Sequence, residues 1–436
     1  MKSICGIPNS AQEAVRHVDR WWIRTLMSGS ALFVMVMTSP LRAQTSTPTV
    51  PVSGVYDGGY LVFQSADSAF KYWLDGRLQL DAATYRGSAH HLSSGFEVRR
   101  ARVGIKTTLY RDWQGEVDID VADNAVEMKD MWIGYAGIRN SFIRIGNFKE
   151  PFSLETLTSS KNITFLERSY IDNFSPDRHM GVSYTRWGRQ WQSSAGVFGQ
   201  TAGDVDATGR SQGYAATGRV TFAPLLGDRK LIHIGAAASR RTPNAADAVA
   251  DSNQVRFRAR PETDVSQARF VTTGKIKNVD YTTFVNGEFA AVAGPASLQA
   301  EYTRTQVRRL GNLATASFSG GYVSASYFLT GESRPYIVSE GEFDRIHPRS
   351  SRGAWEVAAR YSGIDLNDYS PGVNILGGKA ANYTIGVNWY INTNFKWMIN
   401  YVHVQNDKNA KPDIGIAPFP TGEGFRIFQT RFALAL

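Results

Sequence analysis

Charged side chains alternate with apolar ones in two neighbouring stretches of the sequence, and this alternation could build a surface that acts on ions. Three acidic residues occupy every second position of the stretch WQGEVDIDV: Glu116, Asp118 and Asp120. Three basic residues occupy even positions of the stretch before it: Arg100, Arg102 and Lys106. Because successive side chains of a β-strand point to opposite faces, each stretch has one charged and one apolar face if it is extended. The two rows together predict a surface that attracts or repels small ions.

The turn between the two stretches decides whether the rows stand side by side. A three-residue turn at 110–112 pairs Leu109 with Trp113, and this pairing sets Lys106 opposite Glu116. A two-residue turn would flip one strand and mix polar with apolar side chains on both faces. A hairpin of this kind suits a soluble sandwich with its apolar face inside, or a membrane barrel with its apolar face towards lipid.

A third set of charged residues lies in the segment QVRFRARPE. Three arginines take alternate positions in it: Arg256, Arg258 and Arg260. If the segment is extended, the three guanidinium groups point one way and form a ladder that attracts anions. The alternative is a charged strand edge that faces solvent. The spacing alone is compatible with both interpretations.

The residue patterns of common catalytic and metal sites are missing from the sequence. It has no H-E-x-x-H, C-x-x-C or G-x-S-x-G motif, and its seven histidines are scattered. The segment GVNILGGKA has the wrong glycine spacing for a phosphate loop, and Ala380 replaces the necessary hydroxyl residue. We therefore expect no cofactor, no metal and no enzymatic turnover. The alternative of a barrel lipase would need a serine–histidine pair on the lipid-facing rim.

Period-two segments follow one another from residue 71 to the end, and helical spacing is nearly absent. Sixteen strands are predicted near these positions: 71–84, 96–109, 113–122, 127–136, 141–148, 179–186, 190–200, 212–223, 230–241, 281–292, 296–308, 317–329, 355–365, 382–391, 395–405 and 424–436. Short connections tend to alternate with long ones, although 330–354 breaks this rule. An even strand number and alternating connection lengths are typical of outer-membrane barrels. The sequence therefore predicts an all-β fold, a transmembrane antiparallel β-barrel.

The N-terminus has the features of a secretory signal. Arginines precede an apolar core of about 12 residues (Leu26 to Met37), which is too short to span a membrane, and a cleavage position follows at Ala43. Three segments are expected: a signal peptide (1–43), a periplasmic lead-in (44–70) and the barrel (71–436). Cys5, five basic residues and two acidic residues lie before the cleavage position, so the exported chain is free of cysteine and stays basic. A basic balance favours an anionic partner, and export excludes nucleic acid.

Five segments of the chain resemble the phosphate-selective porin O and P family. They are IGNFKEPFSLETLTSSKNITFLERS (145–169), DRHMGVSYTRWG (177–188), YFLTGESRPY (327–336), GAWEVAARYSGIDLND (353–368) and NYTIGVNWYIN (382–392). The resemblance implies a sixteen-stranded trimeric barrel in the bacterial outer membrane, with the third outer loop folded inward to narrow the pore. It also implies a ladder of arginines that leads anions to a lysine-lined constriction.

Two segments resemble the functional parts of that family. TSSK is similar to the constriction motif, and the hydroxyls of Ser159 and Ser160 beside the Lys161 ammonium suit a tetrahedral oxyanion, because each oxygen needs a donor. The alternative is a solvated loop lysine. The segment 254–262 resembles the arginine-bearing inward loop. This chain departs from the phosphate-selective members in having one lysine at the constriction, where they carry more.

The combined prediction is an outer-membrane porin that passes small anions such as phosphate and chloride by passive diffusion through a basic lumen. Its expected partners are those anions, outer-membrane lipid and two further copies of itself in a homotrimer. One alternative is a general diffusion porin without phosphate specificity, or a channel for polyphosphate or organic phosphates. The other is an enzymatic or adhesive barrel. The placement of the connection 242–280 does not follow from the sequence.

Overall fold

The chain folds into a closed antiparallel barrel of sixteen strands. The computed structural model describes four stretches of the chain: 51–202, 212–244, 253–413 and 421–436. The last strand pairs with the first, from Arg426 opposite Arg86 to Ala435 opposite Arg77, and this pairing closes the barrel. The barrel strands are β3 (Lys71–Arg86), β4 (Gly95–Leu109), β5 (Trp113–Asp120), β6 (Glu127–Tyr135), β7 (Ser141–Lys149), β8 (Arg178–Trp187), β9 (Trp191–Phe198), β10 (Ala215–Gly227), β11 (Lys230–Arg241), β16 (Val279–Ala293), β17 (Ala296–Arg309), β18 (Ala316–Phe328), β21 (Ala354–Asp368), β22 (Ile375–Tyr390), β23 (Phe395–Asn406) and β24 (Gly424–Ala435).

The other elements are short. An N-terminal hairpin joins the start of β3 through Val62 opposite Trp73. Its strands, and the two-residue strand pairs of the long connections, are β1 (Val52–Asp57) with β2 (Tyr60–Ser65), β12 (Gln254–Val255) with β15 (Ile276–Lys277), β13 (Arg258–Ala259) with β14 (Val271–Thr272), and β19 (Tyr336–Ile337) with β20 (Glu342–Phe343). The helices are α1 (Leu154–Leu157) and the 3-10 turns Ala122–Asn124 and Tyr170–Phe174. Within the described stretches, no helix is long and apolar enough to cross a membrane.

The sixteen predicted strands are confirmed, each by a barrel strand at its place. The largest difference is at β22, which begins at Ile375 instead of near residue 382. The hairpin of β1 and β2 was not predicted, although Gly58 and Gly59 at its turn have positive φ of 55° and 96°, which is the usual signal of a tight hairpin. The predicted signal peptide, 1–43, lies outside the described residues.

The predicted hairpin of β4 and β5 has the expected register. Lys106 lies opposite Glu116 and Arg102 opposite Asp120, as a three-residue turn requires. Arg111 in that turn has a φ of 69°, in the left-handed region that reverses the chain direction. Polar side chains therefore meet polar ones along the whole hairpin.

The two faces of the wall have opposite character. Along β21, Glu356 and Arg360 are 0% and 4% exposed, whereas Trp355, Val357 and Tyr361 on the other face are 36% to 42% exposed. A soluble sandwich would bury the apolar face, so the structure excludes that alternative. The exposed apolar face is the outer surface of the closed barrel, and the buried polar face surrounds its interior.

The connections differ between the two ends of the barrel. Turns of a few residues, such as 110–112 and 188–190, lie at one end, here called the short-turn end. Longer connections, such as 150–177 and 242–278, lie at the other, here called the long-loop end. The exception is 329–353, a long connection at the short-turn end, as the sequence had indicated.

Candidate functional site

The connection 150–177 lies against the inward face of the wall, where cationic side chains donate to its main-chain carbonyls. Arg360 Nη2 donates to the carbonyl of Glu167 at 3.0 Å, and Lys396 Nζ donates to that of Ile163 at 2.7 Å. Unpaired buried carbonyls are costly, so these bonds fix the path of the connection. The same bonds occupy cations that would otherwise face the lumen.

An inward carboxylate holds the start of this connection. Glu301 of β17 accepts hydrogen bonds from the backbone amides of Leu154 and Glu155, at 3.0 and 2.7 Å. These amides belong to the first turn of α1, which has no intrahelical partner for them. On the apolar side, Phe152 and Tyr170 are buried in a cluster that continues onto the wall.

The three residues of the predicted constriction lie together near the start of β3. Lys161 Nζ donates to Asp75 Oδ1 at 2.8 Å, and its side chain is only 5% exposed. Ser160 Oγ accepts from Arg77 at 2.8 Å, and Ser159 Oγ accepts from the amide of Lys161 at 3.4 Å. Burial lowers the pKa of Lys161 to about 7, against the attraction of Asp75, which raises it. The lysine is therefore an ion-pair partner and not a solvated loop lysine.

The predicted acidic row and two members of the basic row, Arg102 and Lys106, form one network with this lysine. Arg102 Nε lies 2.8 Å from Asp120, and Lys106 Nζ lies 2.9 Å from Asp75 and 3.5 Å from Glu116. Asp118 lies between two guanidinium groups, at 3.7 and 3.9 Å. The network contains four cations and four carboxylates: Arg77, Arg102, Lys106 and Lys161 with Asp75, Glu116, Asp118 and Asp120. Its formal charges cancel.

Three carboxylates of this region are close enough to suggest a metal site. Ligand oxygens of Glu116, Asp118 and Asp130 lie within 4.8 Å of one another. Asp130, however, is paired with Arg178 at 2.7 Å, and the other two carboxylates face the cations of the network. Protein cations already neutralise these three carboxylates, so we interpret the cluster as part of a salt-bridge network and infer no metal site.

Sequence reasoning missed a further inward arginine, Arg99. The register of β3 and β4 shifts there, because Gln79 pairs with Arg100 and Leu80 with Val98. This β-bulge turns both arginines inward. Arg99 binds both carboxylate oxygens of Glu167, at 2.9 and 3.0 Å, whereas Arg100 donates to Gln79 at 2.7 Å. The sequence signal for this bulge was the pair of adjacent arginines, Arg99 and Arg100, which breaks the alternation of charged and apolar residues.

The predicted arginine ladder has the expected alternation. Arg256 is exposed and Arg258 and Arg260 are half-buried, whereas Phe257 and Ala259 between them are 5% and 1% exposed. The arginines therefore share one face, opposite the face that packs on the wall. Phe257 anchors that packing through three rings 5.4 to 6.2 Å away, those of Phe174, Phe284 and Phe318.

A fourth arginine, Arg269, joins the ladder. Burial and then the guanidinium groups of Arg258 and Arg260 lower the pKa of Arg269, Asp413 raises it, and Arg256 lowers it further, so Arg269 lies in the field of the three ladder arginines. Two carboxylates partly compensate: Arg258 lies 3.8 Å from Asp413, and Arg260 pairs with Asp264. Residues 256–269 therefore hold more positive than negative charge.

The long connection at the short-turn end also enters the interior. Arg219 binds Glu288 through two bonds of 2.9 and 2.7 Å and donates to the carbonyl of Gly341 at 2.8 Å. Beside it, His233 Nδ1 lies 2.7 Å from the hydroxyl of Tyr336. The connection 329–353 therefore covers the inward side of β10, β11 and β16.

Comparisons with known proteins agree with this architecture. A family model, "Phosphate-selective porin O and P", matches residues 73–432. Porin O of Pseudomonas aeruginosa is 27% identical over 84% of this chain and 91% of its own length. An uncharacterized protein of Caulobacter vibrioides is 31% identical over 78% of this chain and 69% of its own length. Among solved structures, the anion-selective porin of Comamonas acidovorans has a TM-score of 0.53 at 13% identity, covering 84% of this chain and all of that one.

Proposed function

The chain belongs to the phosphate-selective porin O and P family, and we propose that this outer-membrane porin prefers small anions. Phosphate and chloride are the proposed solutes, and they cross a water-filled lumen down their gradients. Neither a cofactor nor turnover enters the proposal. The name of the Comamonas relative, an anion-selective porin, supports an anion preference in this fold.

The observation that carries the proposal is the surplus of positive charge at the arginine ladder. Four arginines stand in this region with three carboxylates, of which Glu262 is buried and paired with Arg360 of the wall: Arg256, Arg258, Arg260 and Arg269 with Glu262, Asp264 and Asp413. A low-dielectric wall focuses such a field and raises the local concentration of anions. The ladder is therefore the part of the site that selects the sign of charge.

The constriction residues make a second, weaker contribution in this proposal. Ser159 and Ser160 present hydroxyls beside Lys161, and together they can donate to an oxyanion. The ammonium already donates to Asp75, the Tyr60 hydroxyl and the Leu436 carbonyl, so an anion at this position is held loosely. Loose binding is useful in a channel, because conduction requires that the ion leave again.

The proposal is tested by single-channel recording of the purified protein in a planar bilayer under a salt gradient. We expect a reversal potential that favours chloride, and a block of the current by added phosphate. The triple variant Arg256→Gln, Arg258→Gln, Arg260→Gln is expected to lose most of the anion preference, whereas Arg304→Gln on the outer face is the matched control. A wild-type channel with a reversal potential near zero would refute the anion preference.

The same recording separates the alternatives. A general diffusion porin would conduct without regard to phosphate and would barely respond to the triple variant. A channel for polyphosphate or organic phosphates would be blocked at lower concentrations by pyrophosphate or a sugar phosphate than by phosphate. We favour phosphate because the hydroxyls of Ser159 and Ser160 and the ammonium of Lys161 are donors of the kind that a tetrahedral oxyanion needs.

We also propose a homotrimer, with the wall of short strands as the contact between subunits. Strands β5 to β9 have 8 to 10 residues, whereas the other barrel strands have 12 to 16. An eight-residue strand tilted by about 40° spans only about 21 Å, less than the apolar band of roughly 25 Å. Such a wall is better covered by protein than by lipid. Analytical ultracentrifugation in detergent with Ile133→Arg in this wall tests the assignment, since a trimer that persists would contradict it.

A further inference from the structure

Three arginines stand on the outer face of the barrel, where cations are costly unless they meet lipid headgroups. Arg240 of β11 and Arg304 and Arg308 of β17 are exposed and project from the same side of the wall as the exposed apolar residues. Arg240 lies opposite Thr283, and Thr283 lies opposite Gln306, which stands between the other two arginines. The three therefore form one patch at the long-loop end.

No carboxylate of the described stretches lies within 4.0 Å of these three guanidinium groups. Arg240 instead stacks on Tyr281, with its Cζ 3.6 Å from the ring centroid. An arginine on the lipid face of a barrel is costly at the midplane of the membrane and costs almost nothing at the interface. The patch therefore belongs at headgroup level, where phosphates can supply the missing negative charge.

A groove of about 790 Å³ lies on the same outer face, next to the patch and further towards the middle of the barrel. Register places Gly287 opposite Tyr302, Tyr302 opposite Gly321, and Gly321 opposite Gly363. These glycines lower the surface around Tyr302, which is 57% exposed. Apolar side chains border the groove: Ile234, Phe289, Val323 and Tyr361.

The groove meets the arginine patch at its polar end. The register row above Tyr302 contains Arg304, Ser319, Asp365 and Lys379 in order across three strand pairs. Lys379 and Asp365 line the groove, and their charged atoms are 4.0 Å apart. Three arginines and one lysine therefore outnumber the carboxylates at this end, which are Asp365 and the exposed Asp280 at the start of β16. The charge complements an anionic headgroup above an apolar chain.

We propose that this face binds a phosphate-bearing lipid of the membrane leaflet at the long-loop end, with an acyl chain in the groove and the phosphate on the arginine patch. Guanidinium groups bind phosphate through paired hydrogen bonds. A headgroup without net negative charge would not compensate the surplus positive charge of the patch. The strands here have 12 to 16 residues, long enough to face lipid.

The far side of the barrel supports the same arrangement. Arg86 and Arg426 also face outward at the long-loop end, and they are directly opposite each other in the register. Like charges in such positions destabilise a sheet unless an anion lies between them. A second pair of basic residues therefore stands at this level on the opposite side of the barrel, but the groove distinguishes the first patch.

The test is a titration of delipidated, refolded protein in detergent with diphosphoryl lipid A, followed by native mass spectrometry. The triple variant Arg240→Gln, Arg304→Gln, Arg308→Gln is expected to bind at least tenfold more weakly and to lose one bound lipid per chain. The control variant Arg186→Gln, Lys230→Gln removes cations from the short-turn end and should bind as the wild type does. Equal binding by the two variants would overturn the proposal.

A groove variant tests the position of the acyl chain. An added Cβ at Gly287 meets no atom within 4 Å, so Gly287→Trp can fill the groove without disturbing the wall. We expect weaker lipid binding and unchanged single-channel conductance, which separates this site from the channel function. Unchanged lipid binding would overturn the groove assignment.

Two controls distinguish the source of the phosphate and the class of partner. Inorganic phosphate at the lipid's concentration should fail to displace diphosphoryl lipid A, because it lacks the chain that fills the groove. Displacement by phosphate, or equally tight binding of chain-matched phosphatidylcholine, whose phosphate is neutralised by its choline, would contradict a site for a lipid phosphate with net negative charge. If the triple variant dissociates the oligomer and leaves lipid binding intact, the face is a subunit contact and the proposal is wrong.

Discussion

The ammonium of Lys161 lies 2.8 Å from Oδ1 of Asp75, although the two residues are far apart in the sequence. The connection 150–177 therefore delivers its single lysine to a carboxylate on the first barrel strand. Lys106 shares that carboxylate at 2.9 Å. The positive charge of Lys161 is therefore largely compensated, so the proposed anion preference rests mainly on the arginine ladder.

The first prediction concerns the pH dependence of selectivity. Because burial lowers the pKa of Lys161 to about 7, the ammonium is charged below that pH and neutral above it. We expect the ratio of chloride to potassium permeability to fall as pH rises from 6 to 8, by roughly threefold or about 0.6 kcal/mol. Reversal potentials across the pH series measure the change. In Lys161→Gln the ratio should be flat over the same range, and a persisting slope would assign the titration to another group.

The second prediction concerns the partner of this lysine. Asp75 attracts the ammonium and raises its pKa, in opposition to burial. Replacing it by Asn removes that attraction, so the midpoint of the pH series should move to lower pH by about one unit or more. Thr84→Ala on the same strand serves as a control and should leave the midpoint near 7. A midpoint that moves upward in Asp75→Asn would show that the ion pair does not govern the titration.

The barrel wall could be predicted because its strands and turns depend on residues that are close together in the sequence. Alternation of charged and apolar residues fixed the two faces, and the three-residue turn before Trp113 fixed the register of the hairpin. The shared face of Arg256, Arg258 and Arg260 also followed from spacing alone, since a period of two places side chains on one face of any extended segment.

The contacts inside the lumen could not be predicted because they join distant parts of the chain. Nothing near Lys161 indicates that Asp75 is its partner, and nothing near Arg219 indicates that Gly341 is its acceptor. The bulge at Arg99 is local, yet two adjacent arginines fit a plain strand as well as a bulged one. Such features depend on how the connections fill the interior, which a pattern along the strands does not contain.

The third prediction concerns the anchor of the connection 150–177. Arg431 is fully buried and binds Asp81 through bonds of 2.7 and 2.6 Å and Glu167 at 2.6 Å. Arg431→Met leaves both carboxylates without this partner, so we expect the free energy of unfolding to fall by about 3–5 kcal/mol. Urea unfolding of the refolded barrel, followed by tryptophan fluorescence, measures the loss.

The matched control for this anchor is Arg426→Met on the same strand. Arg426 is exposed on the outer face and makes no buried contact, so its replacement should change stability by less than about 0.5 kcal/mol. Limited proteolysis adds a local readout, because the connection should become susceptible in Arg431→Met only. Equal stability of the two variants would mean that the connection is held by its other bonds.

The fourth prediction separates the position of the arginine ladder from its charge. Phe257 is 5% exposed between the rings of Phe174, Phe284 and Phe318, and truncation of a buried phenylalanine to alanine costs roughly 3–5 kcal/mol. We expect Phe257→Ala to release the segment from the wall, so that the open-channel current becomes noisier and the anion preference falls. Arg256→Gln, its neighbour, removes charge without touching the packing, and it should lower the preference while the current stays as quiet as in the wild type. Quiet current in both variants would show that the ladder is held in place by contacts other than this aromatic cluster.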